Sequence, residues 1–375
     1  MVSIPFAGYG VRVGTSGLVL IVAAIVGMFA FGLSALWWRA DFPISSIGNY
    51  GVFALFVGYF LSRRSGSFDV ARLFCLIAIA TAVSYLVFGS EDSRSSTISD
   101  LWKFSIGVPV TFGLVAAVVT SKWAKYSIAA MVFAAVLSLA LNFRSLALVC
   151  LAAAALSFFF SKARSRTAGV RALAAALTIS IIAIVLPRLM TAGVFGEEVR
   201  VRTARQLSSG AGLLLGGRTE PPLSFAAIAR HPWAGWGSTQ NIDRDTVGAG
   251  QAIARSLGMV DPGSYLNYWI RPDGRISLHS ILLGSWAEGG IVAAVLPLLL
   301  IVLFAWGAVR SRGRLAPLAI LLSVQGVWDL LFSPWSDNRS VLIAGSAALV
   351  ILVLRHSAAL SSSGGASSRK LEGAS

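Results

Sequence analysis

About ten apolar runs, most of them near 20 residues long, dominate this 375-residue chain. A helix rises about 1.5 Å per residue, so such a run crosses the roughly 30 Å hydrocarbon core of a bilayer with its backbone hydrogen bonds closed internally. The runs fall near residues 17–36, 47–62, 69–89, 104–121, 124–141, 144–161, 170–190, 279–308, 315–333 and 340–355. The chain is 56% hydrophobic and 13% charged, a balance that excludes an ordinary soluble domain. These features predict an all-α, polytopic membrane protein with about ten transmembrane helices. One long connection, Thr191 to Leu278, interrupts the pattern.

Lysine and arginine in the short connections set the orientation of such a chain. The connections around residues 63–72, 122–125, 162–171 and 310–314 carry twelve of them, and the alternate connections carry five. The first set is expected in the cytoplasm together with both termini. The long loop is then extracytoplasmic, facing the periplasm or exterior of a bacterial inner (plasma) membrane. The expected organisation is N-terminal transmembrane helices over 1–190, the extracytoplasmic loop over 191–278, C-terminal transmembrane helices over 279–355, and a Ser- and Gly-rich, disordered cytoplasmic tail over 356–375.

The net charge of +15 sits mostly beside apolar runs, where topology and anionic membrane lipids account for it. There is no RNP-like or zinc-finger spacing, so nucleic acid is not an expected partner. Cys75 and Cys150 lie within apolar runs, without a CxxC, and read as small core residues. The first run, Gly17 to Leu36, lacks a cleavage pattern and reads as a retained helix. The inverted repeat of many transporters is not visible.

The long loop has an order of its own. RTEPPLSFAAIARHPWAGWGSTQN reads as a short helix bounded by Pro222 and Pro232, followed by a tight Gly-rich turn. A second short helix is expected over Gly250 to Leu257, and RPDGR, Arg271 to Arg275, reads as a turn. His231 in the turn reads as a loop-packing residue. Trp233 and Trp236 read as interfacial anchors, with stacking on sugar faces as the alternative.

ISLHSILLGSWAEGGIVAAVLPL, Ile276 to Leu298, carries two groups that need explaining. His279 stands where the chain would enter the membrane, and Glu288 falls part-way down the run. On one straight helix they lie about 180° and roughly 13 Å apart, so they cannot form a contacting pair. A histidine that is largely neutral near pH 7 can accept a proton from a ligand arriving at the membrane surface. A carboxyl within a span is costly and faces the bundle interior. Glu288 therefore reads as structural, protonated or hydrogen-bonded to Gln325 on the next run. Asp337 and Arg339 either line the same cavity or cap a short loop.

These residues carry a resemblance. An arginine, a short helix, HPWAGWG, and then LHSILLGSWAEGGIVAAVLPL resemble the O-antigen ligase and polysaccharide polymerase superfamily, whose members read as arginine, short helix, hPxxGxG, then HNxxL…ExGxxG. The likeness spans about Asn142 to Leu300 and is strongest at Arg218 to Gly237 and His279 to Gly290. It implies a metal-independent, cofactor-free membrane glycosyltransferase. Such an enzyme moves a glycan from a polyprenyl pyrophosphate to a glycan or lipid acceptor hydroxyl during surface polysaccharide synthesis. By the same resemblance Arg218 contacts the donor pyrophosphate, Arg144 in FRS takes the place of the arginine in the family's SRG, and His279 is the catalytic histidine. The chain departs from the pattern at Ser280, where the family has asparagine, at FRS for SRG, and in its number of spans.

The chemistry fits the residue types. Guanidinium groups give planar, bidentate donors to a pyrophosphate leaving group, and they act most strongly at a low-dielectric interface. No His-rich metal site is visible in the sequence. The layout of a large loop after the seventh run also resembles the peptidoglycan polymerases of elongation and division, but their acidic residue is missing from the sequence around His279. A transporter or lipid flippase would place polar groups near mid-membrane on several spans. A non-catalytic scaffold would leave the arginine and histidine placement unexplained.

Overall fold

A computed structural model describes residues 10–63, 66–88, 97–160, 168–208, 219–261, 263, 266–270, 276 and 278–372. The first part of the chain forms α1 Gly10–Trp38, α2 Ile44–Ser62, α3 Ser67–Phe88, α4 Ile98–Thr120, α5 Ser127–Ala140, α6 Arg144–Phe160 and α7 Ala168–Thr191. Then come α8 Glu197–Ser208, α9 Pro221–Arg230 and α10 Arg244–Ser256, and finally α11 Ile281–Arg310, α12 Ala316–Phe332 and α13 Asp337–Glu372. Among the described residues there is no strand, only an isolated bridge between Ile270 and Ile276.

Seven described helices are long and apolar enough to cross a membrane. Three further apolar helices, Ala124–Ala140, Arg144–Phe160 and Ala316–Phe332, are shorter. Each apolar run of the sequence falls on one of these ten. Their sides are unequal. On α1, Phe31, Ser34 and Ala35 are buried while Phe29, Leu33 and Leu36 are exposed. Exposed apolar faces of this extent suit a lipid environment rather than water.

Helix boundaries differ from expectation where local hydrogen bonds decide them. The fourth run starts early, at Ile98, because the Thr97 hydroxyl accepts from the Asp100 amide. Trp102–Ile106 within α4 is a π-turn. Pro109 follows it and cannot supply the amide that Ser105 would otherwise receive. The second loop helix begins at Arg244 instead of Gly250, because Asp243 caps it by accepting from the Thr246 amide at 2.7 Å. The last helix runs to Glu372, past the Arg355 at which composition places the end of order. No proline stands in that stretch to stop it. The expected RPDGR turn lies outside the described residues.

The chain divides into two compact units. The first comprises the described residues of Met1–Tyr59, Pro187–Val302 and Gly326–Ala344. Its core includes Tyr50, fully buried, packed edge-on to Phe31 at 5.2 Å and donating its hydroxyl to Ala293 O at 2.7 Å. Ser340 donates to Asn49 Oδ1 at 2.6 Å, closing another buried polar pair.

The second unit comprises the described residues of Phe60–Leu186, Leu303–Gln325 and Gly345–Ser375. Phe74 and Phe112 pack together at its centre, and Trp102 donates its indole N–H to Ser138 Oγ. Arg314 ties one end by donating to Val119 O and Ser121 O. Cys75 and Cys150 are buried free thiols there.

Candidate active site

Everything that places His279 belongs to the first unit. Pro221 and Pro222 start α9, where the missing amide N–H costs nothing, and Glu220 stands at the position before the first helical residue without a side-chain capping bond. Trp269 is completely buried and donates its indole N–H to Thr219 O at 3.1 Å, which fixes the backbone just before Glu220. Leu223 and Ala227 of α9, Val247 and Ala254 of α10, and Trp236, Trp269, Ile276 and Leu278 form one apolar cluster beneath this corner.

Ser280 anchors the other partner. Its Oγ accepts from the Leu283 amide, capping α11, and donates to Leu330 O at the end of α12, both at 3.1 Å. Serine caps a helix N-terminus about as well as asparagine does. His279 is the residue just before this cap. It therefore precedes the helix, where the sequence places it on the helix.

The two anchors bring His279 Nδ1 to 2.9 Å from Glu220 Oε1. The imidazole is about one-third exposed, and the carboxylate is 13% exposed. They edge a narrow cleft lined by Glu220, Pro221, Ser224, His279, Ser280, Leu283, Leu331 and Phe332. Four of these are polar and four apolar. Sequence reasoning did not single out Glu220. The available signal was an acid placed directly before a Pro-Pro helix start.

The Gly-rich turn and the Glu-Gly-Gly stretch, read separately in the sequence, interlock. Within α11 Gly290 has φ 73° and ψ −174°, so the helix breaks there. The amides of Trp236 and Gly237 donate to Ala287 O and Glu288 O at 2.8 and 2.9 Å, and the Ile291 amide donates to Pro232 O at 3.0 Å. Trp286 adds an indole bond to Pro232 O, Trp38 another to Gly235 O, and Ser34 donates to Glu288 O. Ala287 O, Glu288 O and the Ile291 amide, all beside the break, thus find partners, which an apolar setting requires. A Cβ at Gly235 would meet Glu288 O at 2.5 Å, and one at Gly290 would collide with Trp233 O. Only glycine fits either side of the seam.

Glu288 lies within the candidate span Ile281–Arg310, two residues before the break at Gly290. Ser46, in the first turn of α2, donates to its Oε2 at 2.8 Å, and Ser34, in the last turns of α1, donates to its backbone oxygen. Glu288 is therefore level with the ends of two helices. The described partner of its side chain is Ser46 rather than the expected Gln325. Gln325 is buried on α12, in the second unit, and its Oε1 has no hydrogen-bond partner among the described residues.

The remaining candidates separate. Arg144 opens α6, half-buried, in the second unit. Arg218 lies outside the described residues. His231 packs edge-on against Trp38 at 4.7 Å and Trp236 at 4.3 Å, as a loop-packing residue does. Burial and then the neighbouring Arg230 push its pKa down, with Asp243 opposing. Hydrogen bonds from Thr246 hold the Asp243 carboxyl below its usual range.

Trp236 is 3% exposed and donates to Ala227 O, so it is a core residue and not an anchor, whereas Trp233 is 78% exposed. Arg339 Nε stands 3.8 Å from Asp329 Oδ1, and Asp329 also accepts from Ser333. Among the described residues no three His, Cys, Asp or Glu side chains are grouped to hold a metal.

The fold and site define an all-helical chain with candidate membrane spans and a histidine–carboxylate pair at a cleft. No protein-family model, curated protein or solved structure matches this chain.

Proposed function

We propose that this protein is a membrane glycosyltransferase of the O-antigen ligase and polymerase type. It transfers a glycan from a polyprenyl pyrophosphate to an acceptor hydroxyl at the extracytoplasmic face of a bacterial inner membrane. The observation that carries the reading is the position of His279, held by the Ser280 cap with its Nδ1 2.9 Å from the Glu220 carboxylate, an arrangement that suits a proton acceptor. In this reaction the acceptor hydroxyl gives its proton to His279 as its oxygen attacks the anomeric carbon. Arg218 is assigned to the pyrophosphate, whose developing charge a guanidinium group stabilises.

The test uses purified protein in vesicles, a polyprenyl-pyrophosphate-linked oligosaccharide and candidate acceptors. Wild type is expected to release polyprenyl pyrophosphate and form product. His279→Ala and Arg218→Ala are expected to bind donor but lose transfer by about 10²-fold or more. Both variants turning over like wild type would sink the reading.

A second reading gains from one observation. Peptidoglycan-polymerase-like enzymes carry an acid near the motif histidine, and Glu220 supplies one in space. Substituting a lipid-linked peptidoglycan precursor as the only donor separates the two: polymer formed from it favours the second.

A further inference from the structure

Two residues far apart in the chain meet at the cleft, and each is held by its own set of contacts. Glu220 is fixed by the proline start of α9 and by the Trp269 bond to Thr219 O. His279 is fixed by the twofold bonding of Ser280. A chance surface ion pair has neither support. The 2.9 Å separation is that of a charge-assisted hydrogen bond, and the carboxylate is largely shielded from water.

We propose that Glu220 is a positioning residue for His279: it holds the neutral imidazole with its proton on Nδ1 and its lone pair on Nε2. An ionised carboxylate only accepts, so the shared proton belongs to Nδ1. Free imidazole favours the opposite tautomer, with the proton on Nε2. Without Glu220 the nitrogen that must accept a proton would already carry one.

The consequence for catalysis rests on the transferase reading, whereas the tautomer does not. In the transfer step the acceptor O–H proton moves to Nε2, and the acceptor oxygen bonds to the anomeric carbon. The bond from that carbon to the pyrophosphate oxygen breaks, and its electron pair leaves with polyprenyl pyrophosphate. Glu220 stays ionised and its charge offsets the imidazolium that forms.

The chain has only three histidines, His231, His279 and His356, which makes the tautomer measurable. Full-length protein labelled with 15N,13C-histidine is reconstituted in lipid vesicles, about two pH units above the ordinary histidine value. Carbon–nitrogen correlation spectra then separate the two neutral forms. The His279 signals are identified by their loss in His279→Gln.

Wild type is expected in the Nδ1–H form and Glu220→Ala in the Nε2–H form. Glu220→Gln, whose amide oxygen still accepts, is expected to keep Nδ1–H. Unchanged His231 signals in the variants confirm that the fold survives. In transfer assays Glu220→Ala is expected to lose about 10²-fold or more in kcat with little change in KM, and Glu220→Gln to fall between.

An Nε2–H wild type, or a Glu220→Ala spectrum identical to wild type, overturns the proposal. A wild type with the expected tautomer but no glycan transfer keeps the pairing and overturns the transferase reading instead.

Discussion

The two sections of α11 on either side of Gly290 follow different rules. Before the break, Ile281 to Gly289 holds Ser285, Trp286 and Glu288, and its backbone and side chains bond to α1, α2 and the Gly-rich turn. After it, Ile291 to Arg310 is apolar up to its last residue, with Val302 and Trp306 exposed. The described polar ties of the second section to distant parts of the chain lie at its start, where the Ile291 amide bonds to Pro232 O and Ala293 O accepts from Tyr50. The first depends on particular side-chain partners at particular distances. One helix thus carries an apolar section, packed mainly by shape, and a section with polar partners that supports the cleft.

Substitutions should separate these sections by size of effect. Trp236→Ala removes a buried indole and its bond to Ala227 O. It is expected to cost about 3–5 kcal/mol, read as a lower unfolding midpoint in detergent.

Gly290→Ala places a Cβ against Trp233 O in left-handed backbone. About 3 kcal/mol is expected, against a change within about 1 kcal/mol for Gly284→Ala, where the space is ordinary. Equal effects at the two glycines would remove the seam from the account.

Glu288→Leu leaves Ser46 without its acceptor and is expected to cost about 1–2 kcal/mol, with Glu288→Gln milder. Stable Glu288→Leu protein that has lost activity would instead place Glu288 in the chemistry.

The smallest effect is on pH. Both His231 and Asp243 have depressed values in the fold. The unfolded chain therefore binds more protons, and stability rises with pH. The Asp243 contribution is complete above the ordinary carboxylate value and fades as pH falls through its lowered one. The His231 contribution is complete above the ordinary histidine value and fades on acidification from there. Acid should loosen the turn and α10 before the spans, followed by hydrogen exchange, and His231→Asn should flatten the upper part of that profile.

Much of the helical content was legible, because an apolar run long enough to cross a bilayer has few other outcomes. The break at Gly290 was not. Its partners are backbone oxygens of Pro232, Ala287 and Glu288, and a backbone oxygen leaves no trace in residue type. Trp233 and Trp236 show the same limit, since two tryptophans in one turn read alike while one is exposed and the other buried. His279 was legible as the polar residue at the mouth of an apolar run. Its partner Glu220 was not, because the contact depends on how α9 and α11 are held together. The Ser46 partner of Glu288 was not legible, because the contact depends on how α2 packs against α11.

The seam also orders events during synthesis. Ser34 and Glu288 are 254 positions apart, so at about 5–20 residues per second the first helix waits roughly 13–50 s for the carbonyl it will bond. Throughout that interval the ends of α1 and α2 stand without the turn and the helix that later cover Ser34, Trp38 and Ser46. Newborn chains cut short before residue 288 should therefore be the form that membrane proteases remove first, and completion of α11 should be the moment at which the protein becomes durable.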